Sequence, residues 1–280
     1  MAALAAVAAL AIAGCAHVSA SGAAGTHGRP GYPDRIAYRV PGTDRIRVIS
    51  LRDPFGGCET RIAREPHHIR TLAIVGASYT AGVGPDNPKL SWAADLGRKM
   101  RWNSVIYGVP GAGYVRTGTD DLGPMARMLD LEQLPGLQPS LVIVQAGHDD
   151  GGVPAARERS HVISTIDLIR AEVPDARIAL LTVFAPPSKP VSPALYQVDQ
   201  TIVDAARDAD PHVIVMDPLV GHWKFQHAHD GLHPTAAGDA WIARKVESIL
   251  RADGVHASPA DVTTAIMCDL GIPAKTTSGA

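Results

Sequence analysis

The residues of this chain that could do chemistry are a serine near the front and an acid and a histidine near the back. Ser78 follows an apolar run within the sequence GASYTAG (76–82), and Asp230 and His233 stand in DGLHP (230–234). A serine hydroxyl becomes a nucleophile when an imidazole takes its proton, and a carboxylate fixes the tautomer of that imidazole and stabilises its charge. We therefore predict that Ser78, His233 and Asp230 act together in ester cleavage.

A repeated pattern of apolar run, turn and helix predicts how these residues are positioned. The apolar runs are short, continuous and β-branched, which is typical of strands buried on both faces. Their alternation with helices predicts a three-layer α/β/α sandwich with a central, mostly parallel five-stranded sheet, whose loops gather at the carboxyl ends of the strands. The predicted strands are 71–75, 104–107, 141–144, 177–183 and 212–216, and the predicted helices are 90–101, 122–130, 155–172, 192–208 and 235–250.

Four motifs, in order along residues 71 to about 246, resemble the sequence blocks of the SGNH/GDSL hydrolase superfamily. The sequence GASY with Gly82 is similar to the serine block, and Gly111 in VPGAG to the second-block glycine. The sequence GHDD (147–150) is similar to Gly-x-Asn-Asp, and DGLHP to the final Asp-x-x-His. The resemblance implies an SGNH or flavodoxin-like fold. It also implies esterase, lipase or carbohydrate deacetylase activity through an acyl-enzyme, with no metal or organic cofactor.

The same resemblance implies which groups hold the oxyanion of the tetrahedral intermediate. They are the amides of Ser78 and Gly111 and, at the position of the family's asparagine, the side chain of Asp149. Asp149 departs from the pattern because an ionised carboxylate only accepts hydrogen bonds. Either a raised pKa keeps Asp149 protonated, or His148 supplies the donor, or the activity is weak or altered. We expect a working enzyme with Asp149 in the oxyanion position.

Other interpretations of these residues remain open at this point. Ser78 alone would suit a helix cap, and Asp150 is either a loop cap or an acceptor that supports the site. The altered third block would also suit a catalytically weakened binding protein of the cell envelope on an esterase scaffold.

A loop rich in histidine suggests a metal site, which we do not favour because an H-E-x-x-H-like arrangement is missing. The histidines and acids concerned are His222, His227, His229, His233, Asp217 and Asp230.

The start of the chain predicts export. Residues 2–13 are almost wholly apolar, too short to span a bilayer, and typical of a signal peptide. Small residues precede Cys15, as in a bacterial lipobox, so we interpret 1–15 as a lipoprotein signal peptide with Cys15 lipidated. An ordinary cleaved signal with an incidental cysteine is the alternative. Lipidation would place the protein in the cell envelope, anchored to the outer face of the cytoplasmic membrane without spanning it; otherwise it is secreted.

The rest of the chain divides by composition and pattern. Residues 16–33 suit a flexible tether, 34–66 a small N-terminal β extension, 67–254 the hydrolase domain and 255–280 a C-terminal extension. Once Cys15 is acylated, Cys58 and Cys268 remain. In an oxidising compartment such a pair commonly forms a disulfide, and two free thiols are the alternative.

The length and the net charge of the chain limit which class of protein it can be. The chain has 280 residues, 46% hydrophobic and 19% charged, which is enough for one folded catalytic domain. A net charge of -2 with scattered lysine and arginine provides no field that would attract nucleic acid. We therefore expect no nucleic-acid partner. We also expect a monomer, and the resemblance implies a small-molecule, glycan or lipid ester as substrate.

Overall fold

The computed structural model describes residues 35–39, 46–50, 55, 57–64, 69–85, 87–132, 134–187, 190–259 and 265–271. The predicted signal peptide with Cys15 and the predicted tether lie outside the described residues. Within the described part, no helix is long and apolar enough to cross a bilayer.

The strands and helices follow one another along the chain much as the pattern predicts. The strands are β1 (Arg35–Arg39), β2 (Ile46–Ser50), β3 (Thr71–Gly76), β4 (Asn103–Gly108), β5 (Leu141–Gln145), β6 (Arg177–Leu181), β7 (Ile214–Met216) and β8 (Met267–Gly271). The helices are α1 (Cys58–Arg64), α2 (Trp92–Met100), α3 (Met125–Leu131), α4 (Leu134–Leu137), α5 (Ala155–Glu172), α6 (Pro193–Ala209) and α7 (Ala236–Ala252).

The central sheet confirms the predicted α/β fold but not the predicted number of strands. Among the described residues it has six strands, all parallel, in the order β7, β6, β5, β3, β4, β8. The prediction of five strands is wrong because β8 pairs with the edge of β4, with Cys268 beside Val105. This strand belongs to the segment predicted as a C-terminal extension, where Asp269 interrupts the apolar pattern of a buried strand.

Helices cover both faces of the sheet, as expected for the three-layer architecture. Leu72 and Ile74 of β3 pack on the side of α2 and α7, whereas Ala73 and Val75 pack on the side of α3, α5 and α6. All four are fully buried, since alternate residues of a strand point to opposite faces. Burial on both faces is why the strand sequences are continuously apolar.

Ahead of the sheet, β1 and β2 form an antiparallel hairpin, and α1 follows it. The segment 34–66, predicted as a β extension, therefore also contains a short helix. A disulfide joins Cys58 of α1 to Cys268 of β8. Of the two states left open by the sequence, the structure contains the bonded one, which ties the segment before the sheet to the sheet's edge strand.

Capping bonds fix where the last helix begins. Thr235 Oγ1 accepts a hydrogen bond from the Gly238 amide at 3.2 Å, so α7 begins shortly after the loop that carries His233. In the first turn of α7, Asp239 Oδ1 accepts from the Trp92 amide at 2.9 Å. This hydrogen bond joins the first turns of α7 and α2. The loop that carries His233 therefore ends at a helix start that is held in place.

Candidate active site

Beyond the carboxyl ends of the strands, Ser78 meets His233, which lies 155 residues later in the sequence, together with the neighbouring Asp230. The Oγ of Ser78 lies 2.8 Å from Nε2 of His233, and Nδ1 of His233 lies 2.6 Å from Oδ2 of Asp230. The hydroxyl, imidazole and carboxylate therefore form a continuous hydrogen-bonded chain. This is the arrangement in which an imidazole can take a proton from a serine while a carboxylate orients it.

Asp230 holds the histidine loop as well as the imidazole. Its Oδ1 accepts hydrogen bonds from the backbone amides of Leu232 at 2.9 Å and His233 at 3.0 Å. Burial alone would raise the pKa of Asp230, but the bonds from the His233 side chain and from these two amides lower it below its ordinary value. Asp230 is therefore ionised at neutral pH, and its side chain is 46% exposed.

The turn that carries Ser78 is fastened to a neighbouring strand. Ser78 lies two residues after the end of β3, and Gln145 ends β5, which pairs with β3. The Oε1 of Gln145 accepts hydrogen bonds from the Ala77 amide at 3.1 Å and from the Thr80 hydroxyl at 3.0 Å. Sequence reasoning missed Gln145. The available signal was a polar residue at the end of an otherwise apolar strand.

The backbone amides of Ser78 and Gly111 follow the adjacent strands β3 and β4. Gly111 follows β4 with φ of +77°, a conformation that glycine adopts without strain. Within the part of the chain that the structure describes, the amides of Ser78 and Gly111 donate to no protein acceptor. The two N–H groups that the resemblance implies for an oxyanion are therefore unoccupied by internal hydrogen bonds.

Asp150 supports the loop that contains Gly111. Its carboxylate accepts from the amides of Tyr114 at 2.6 Å, Val115 at 3.2 Å and Arg116 at 3.0 Å. The sequence leaves two interpretations open for Asp150, a loop cap or an acceptor that supports the site. These contacts are those of a supporting acceptor. The side chain of Asp150 is fully buried.

Asp149 and His148 lie in the short 3₁₀ turn after β5. Burial raises the pKa of Asp149 to about 6, and the charge of Asp150 adds to the shift while that of His233 opposes it. Burial lowers the pKa of His148, and the charge of His233 lowers it further. A hydrogen bond to the Phe184 backbone acts in the opposite direction and raises this pKa. Asp149 thus gains a proton at mildly acidic pH, whereas His148 tends to stay neutral.

The histidine-rich loop does not assemble as a metal site. The ring of His227 stacks on Phe225, with centroids 4.2 Å apart. Among the described residues, no group of three or more histidine, cysteine, aspartate or glutamate side chains is placed to hold a metal ion. The structure brings His233 to Ser78 and Asp230, and it does not gather His222 and His229 with it.

A parallel α/β sheet that presents a serine, a histidine and an aspartate in hydrogen-bonded series is an arrangement typical of serine hydrolases. Residues 74–241 match the sequence profile of the GDSL-like lipase/acylhydrolase family, and the chain belongs to that family. The match includes Ser78, Asp230 and His233. The protein is therefore a carboxylic ester hydrolase of the SGNH/GDSL type. A search of curated proteins gives no significant match.

Solved structures share the fold at low sequence identity. The carbohydrate esterase family 2 enzyme of Corynascus thermopiles (Myceliophthora fergusii) has 17% identity and a TM-score of 0.52, covering 68% of each chain. TesA has 22% identity and a TM-score of 0.52, covering 66% of this chain and 99% of its own. The acetyl xylan esterase Est2A of Butyrivibrio proteoclasticus has 15% identity and a TM-score of 0.52, covering 68% of this chain and 66% of its own.

Proposed function

We propose that the protein hydrolyses carboxylic esters through an acyl-enzyme intermediate on Ser78. The observation that carries the proposal is the 2.8 Å contact between Ser78 Oγ and His233 Nε2. His233 takes the hydroxyl proton as the serine oxygen attacks the ester carbonyl, and it returns that proton to the departing alcohol. Water then attacks the acyl-serine and gives a proton to His233. His233 returns that proton to the Ser78 oxygen as the bond between this oxygen and the acyl carbon breaks, which releases the acid and free Ser78.

The negative charge of each tetrahedral intermediate is held by the amides of Ser78 and Gly111, which donate to no described protein acceptor. Asp149 adds a third donor when it is protonated. A neutral carboxyl group has one O–H to donate, whereas the ionised form has none. Because the pKa of Asp149 is raised to about 6, this third donor is present mainly at mildly acidic pH.

The substrates we propose are lipid acyl esters or acetylated glycans. The side chain of Asp230 is 46% exposed, so this part of the site faces solvent, and a substrate with a large alcohol part such as a sugar or a lipid headgroup suits it. Hydrolysis needs no metal or organic cofactor in this mechanism, because the proton transfers and the nucleophile are all supplied by the chain.

We also propose that the protein is exported, lipidated at Cys15, and works as a monomer in the cell envelope. The apolar segment 2–13 and the small residues before Cys15 support export. The disulfide between Cys58 and Cys268 adds support, because such bonds persist mainly in oxidising compartments. Mass spectrometry of the membrane fraction would detect the acylated N-terminal cysteine, and a Cys15→Ala variant should appear in the soluble fraction.

The activity is tested with a panel of short and long acyl esters and acetylated glycans. We expect the wild-type protein to hydrolyse at least one class, and Ser78→Ala to lose about 10³-fold or more of kcat. Prior dialysis against a chelator should leave the rate unchanged. Equal rates for Ser78→Ala and wild type would contradict the mechanism. Glycan binding without any turnover by the wild type would favour the binding-protein interpretation.

A further inference from the structure

Tyr79, the residue after Ser78, reaches across the site to the loop that carries His233. Its hydroxyl donates a hydrogen bond to the backbone carbonyl of Leu232 at 2.7 Å. The side chain is 1% exposed. Burial, followed by the negative charges of neighbouring aspartates including Asp230, raises the pKa of Tyr79 far above its ordinary value. The hydroxyl therefore remains a donor throughout the pH range in which the enzyme would act.

The carbonyl that Tyr79 holds belongs to the same peptide group as the amide of His233. That amide donates to Oδ1 of Asp230 at 3.0 Å. Because a peptide group is planar and rigid, the Leu232–His233 peptide is fixed at both ends, by the tyrosine hydroxyl at its oxygen and by the carboxylate at its nitrogen. Hydrogen bonds arranged in series also polarise one another. The backbone from which the imidazole projects is therefore held from two sides.

The tyrosine ring is itself held in place. It stacks on Phe184, with centroids 4.4 Å apart and planes 8° apart. It also contacts the ring of His233, at 5.4 Å between centroids, and meets the edge of Phe225 at 6.5 Å. Packing of this kind fixes the direction of the hydroxyl. Because Tyr79 belongs to the turn that carries Ser78, that turn also sets the position of the donor that bonds to Leu232.

We propose that Tyr79 is a positioning residue, whose hydroxyl keeps His233 in line with Ser78 by holding the Leu232–His233 peptide. The inference rests on the proposed function, because it concerns the proton transfer from Ser78. Without the hydroxyl, the Leu232 carbonyl loses its donor and the loop gains freedom, so the imidazole spends less time within reach of the serine. A buried tyrosine offers no surface to the substrate, so the effect falls on kcat and leaves KM nearly unchanged.

The test is the variant Tyr79→Phe, which removes one hydroxyl and keeps the ring. We expect kcat to fall about tenfold, as for the loss of one orienting hydrogen bond in an active site, with KM within about twofold. The matched control is Tyr107→Phe. Tyr107 is fully buried in β4, and among the described residues its hydroxyl has no hydrogen-bond partner. The control should keep the wild-type kcat.

Three further measurements separate positioning from stability. The value of kcat is expressed per serine that reacts with a fluorophosphonate in an exhaustive titration, which removes any unfolded fraction from the comparison. The variant Phe184→Leu removes the stacking partner and keeps the hydroxyl, so it should lose less kcat per titrated site than Tyr79→Phe. Hydrogen exchange at the His233 amide should be faster in Tyr79→Phe than in Tyr107→Phe.

The outcomes distinguish this inference from the proposed function. No reaction of wild-type Ser78 with the fluorophosphonate would overturn the proposed function itself. A labelled wild type together with a Tyr79→Phe variant that keeps the wild-type kcat would overturn only the role of Tyr79. A larger loss in Phe184→Leu than in Tyr79→Phe, or a Tyr79→Phe protein that does not fold, would also contradict it, because the residue would then act through stability.

Discussion

Gln145 accepts a hydrogen bond from the hydroxyl of Thr80 at 3.0 Å, which fastens the turn carrying Ser78 to the end of a neighbouring strand. The same side-chain oxygen accepts from the Ala77 amide. Both donors and the acceptor are buried, so the bonds are made where water cannot replace them. The position of the nucleophile thus depends on a residue outside the triad.

Replacing Gln145 with leucine should lower both stability and turnover. The change leaves the Thr80 hydroxyl buried without its acceptor, which costs about 1–3 kcal/mol of unfolding free energy, and it loosens the serine turn, so kcat should fall. Urea unfolding and ester hydrolysis measure the two effects. Gln200→Leu, at an exposed position of α6, is the control and should change neither. Wild-type values for Gln145→Leu would show that the turn needs no such support.

The activity of Asp149→Asn should exceed that of the wild type increasingly as pH rises. With the pKa of Asp149 raised to about 6, the wild type loses its neutral donor above that pH, whereas an asparagine amide donates at every pH. The ratio of the variant's kcat to that of the wild type should therefore grow by up to about tenfold per pH unit between pH 6 and pH 8.

The control for this pH profile is Asp175→Asn, at an exposed aspartate between α5 and β6. The ratio of its kcat to that of the wild type should not change with pH. A complete loss of activity in Asp149→Asn at all pH values would rule out an oxyanion donor at this position and would indicate a specific need for a carboxylate.

Glu158→Gln should stabilise the protein at alkaline pH. Burial, and then the charge of Asp150, raises the pKa of Glu158 to about 9. The folded protein therefore keeps this proton above the pH at which the unfolded chain releases it, so wild-type stability falls as pH rises between the two pKa values, by at most about 1.4 kcal/mol per pH unit. Glutamine carries no charge and removes this loss.

Melting temperatures at pH 5 and pH 8 check this expectation. The advantage of Glu158→Gln over the wild type should be larger at pH 8. Asp167→Asn, an exposed position of the same helix, should give equal differences at both pH values. An advantage that shrinks from pH 5 to pH 8 would show that the buried carboxyl is ionised in the folded protein.

Reduction of the disulfide should destabilise the protein. Cys58 and Cys268 are 210 residues apart in sequence, and opening a cross-link over a long loop typically costs about 2–5 kcal/mol. A thiol reductant should lower the unfolding midpoint of the wild type towards that of Cys58→Ser/Cys268→Ser. The double variant should not respond to the reductant. A wild-type midpoint that reductant leaves unchanged would argue against the bond.

The parts of the fold that sequence predicts well are those set by local pattern. The helix predicted over 155–172 is observed as Ala155–Glu172, because its apolar periodicity lies within the segment and Pro154 and Pro174 flank it. The strand Met267–Gly271 was missed since it is short, interrupted by Asp269, and stabilised by pairing with a strand far away in sequence. Strand pairing of that kind leaves little local signal.

The same division applies to the candidate site. The sequence predicts Ser78, His233 and Asp230 as the reacting groups because their types and spacing suit one chemistry. Gln145 and Tyr79 were not assigned a role, because their contacts with the serine turn and with Leu232 exist only once the strands and loops are assembled. Residue type therefore pointed to the reacting groups, and tertiary contacts were needed to find the groups that hold them.

The central claim is that His233 activates Ser78, and covalent labelling tests it most directly. The protein is treated with a fluorophosphonate and digested, and the adduct is located by mass spectrometry. We predict one adduct, on Ser78, absent from Ser78→Ala and formed far more slowly in His233→Ala. An adduct on another residue, or labelling of Ser78 at the same rate without His233, would contradict the mechanism.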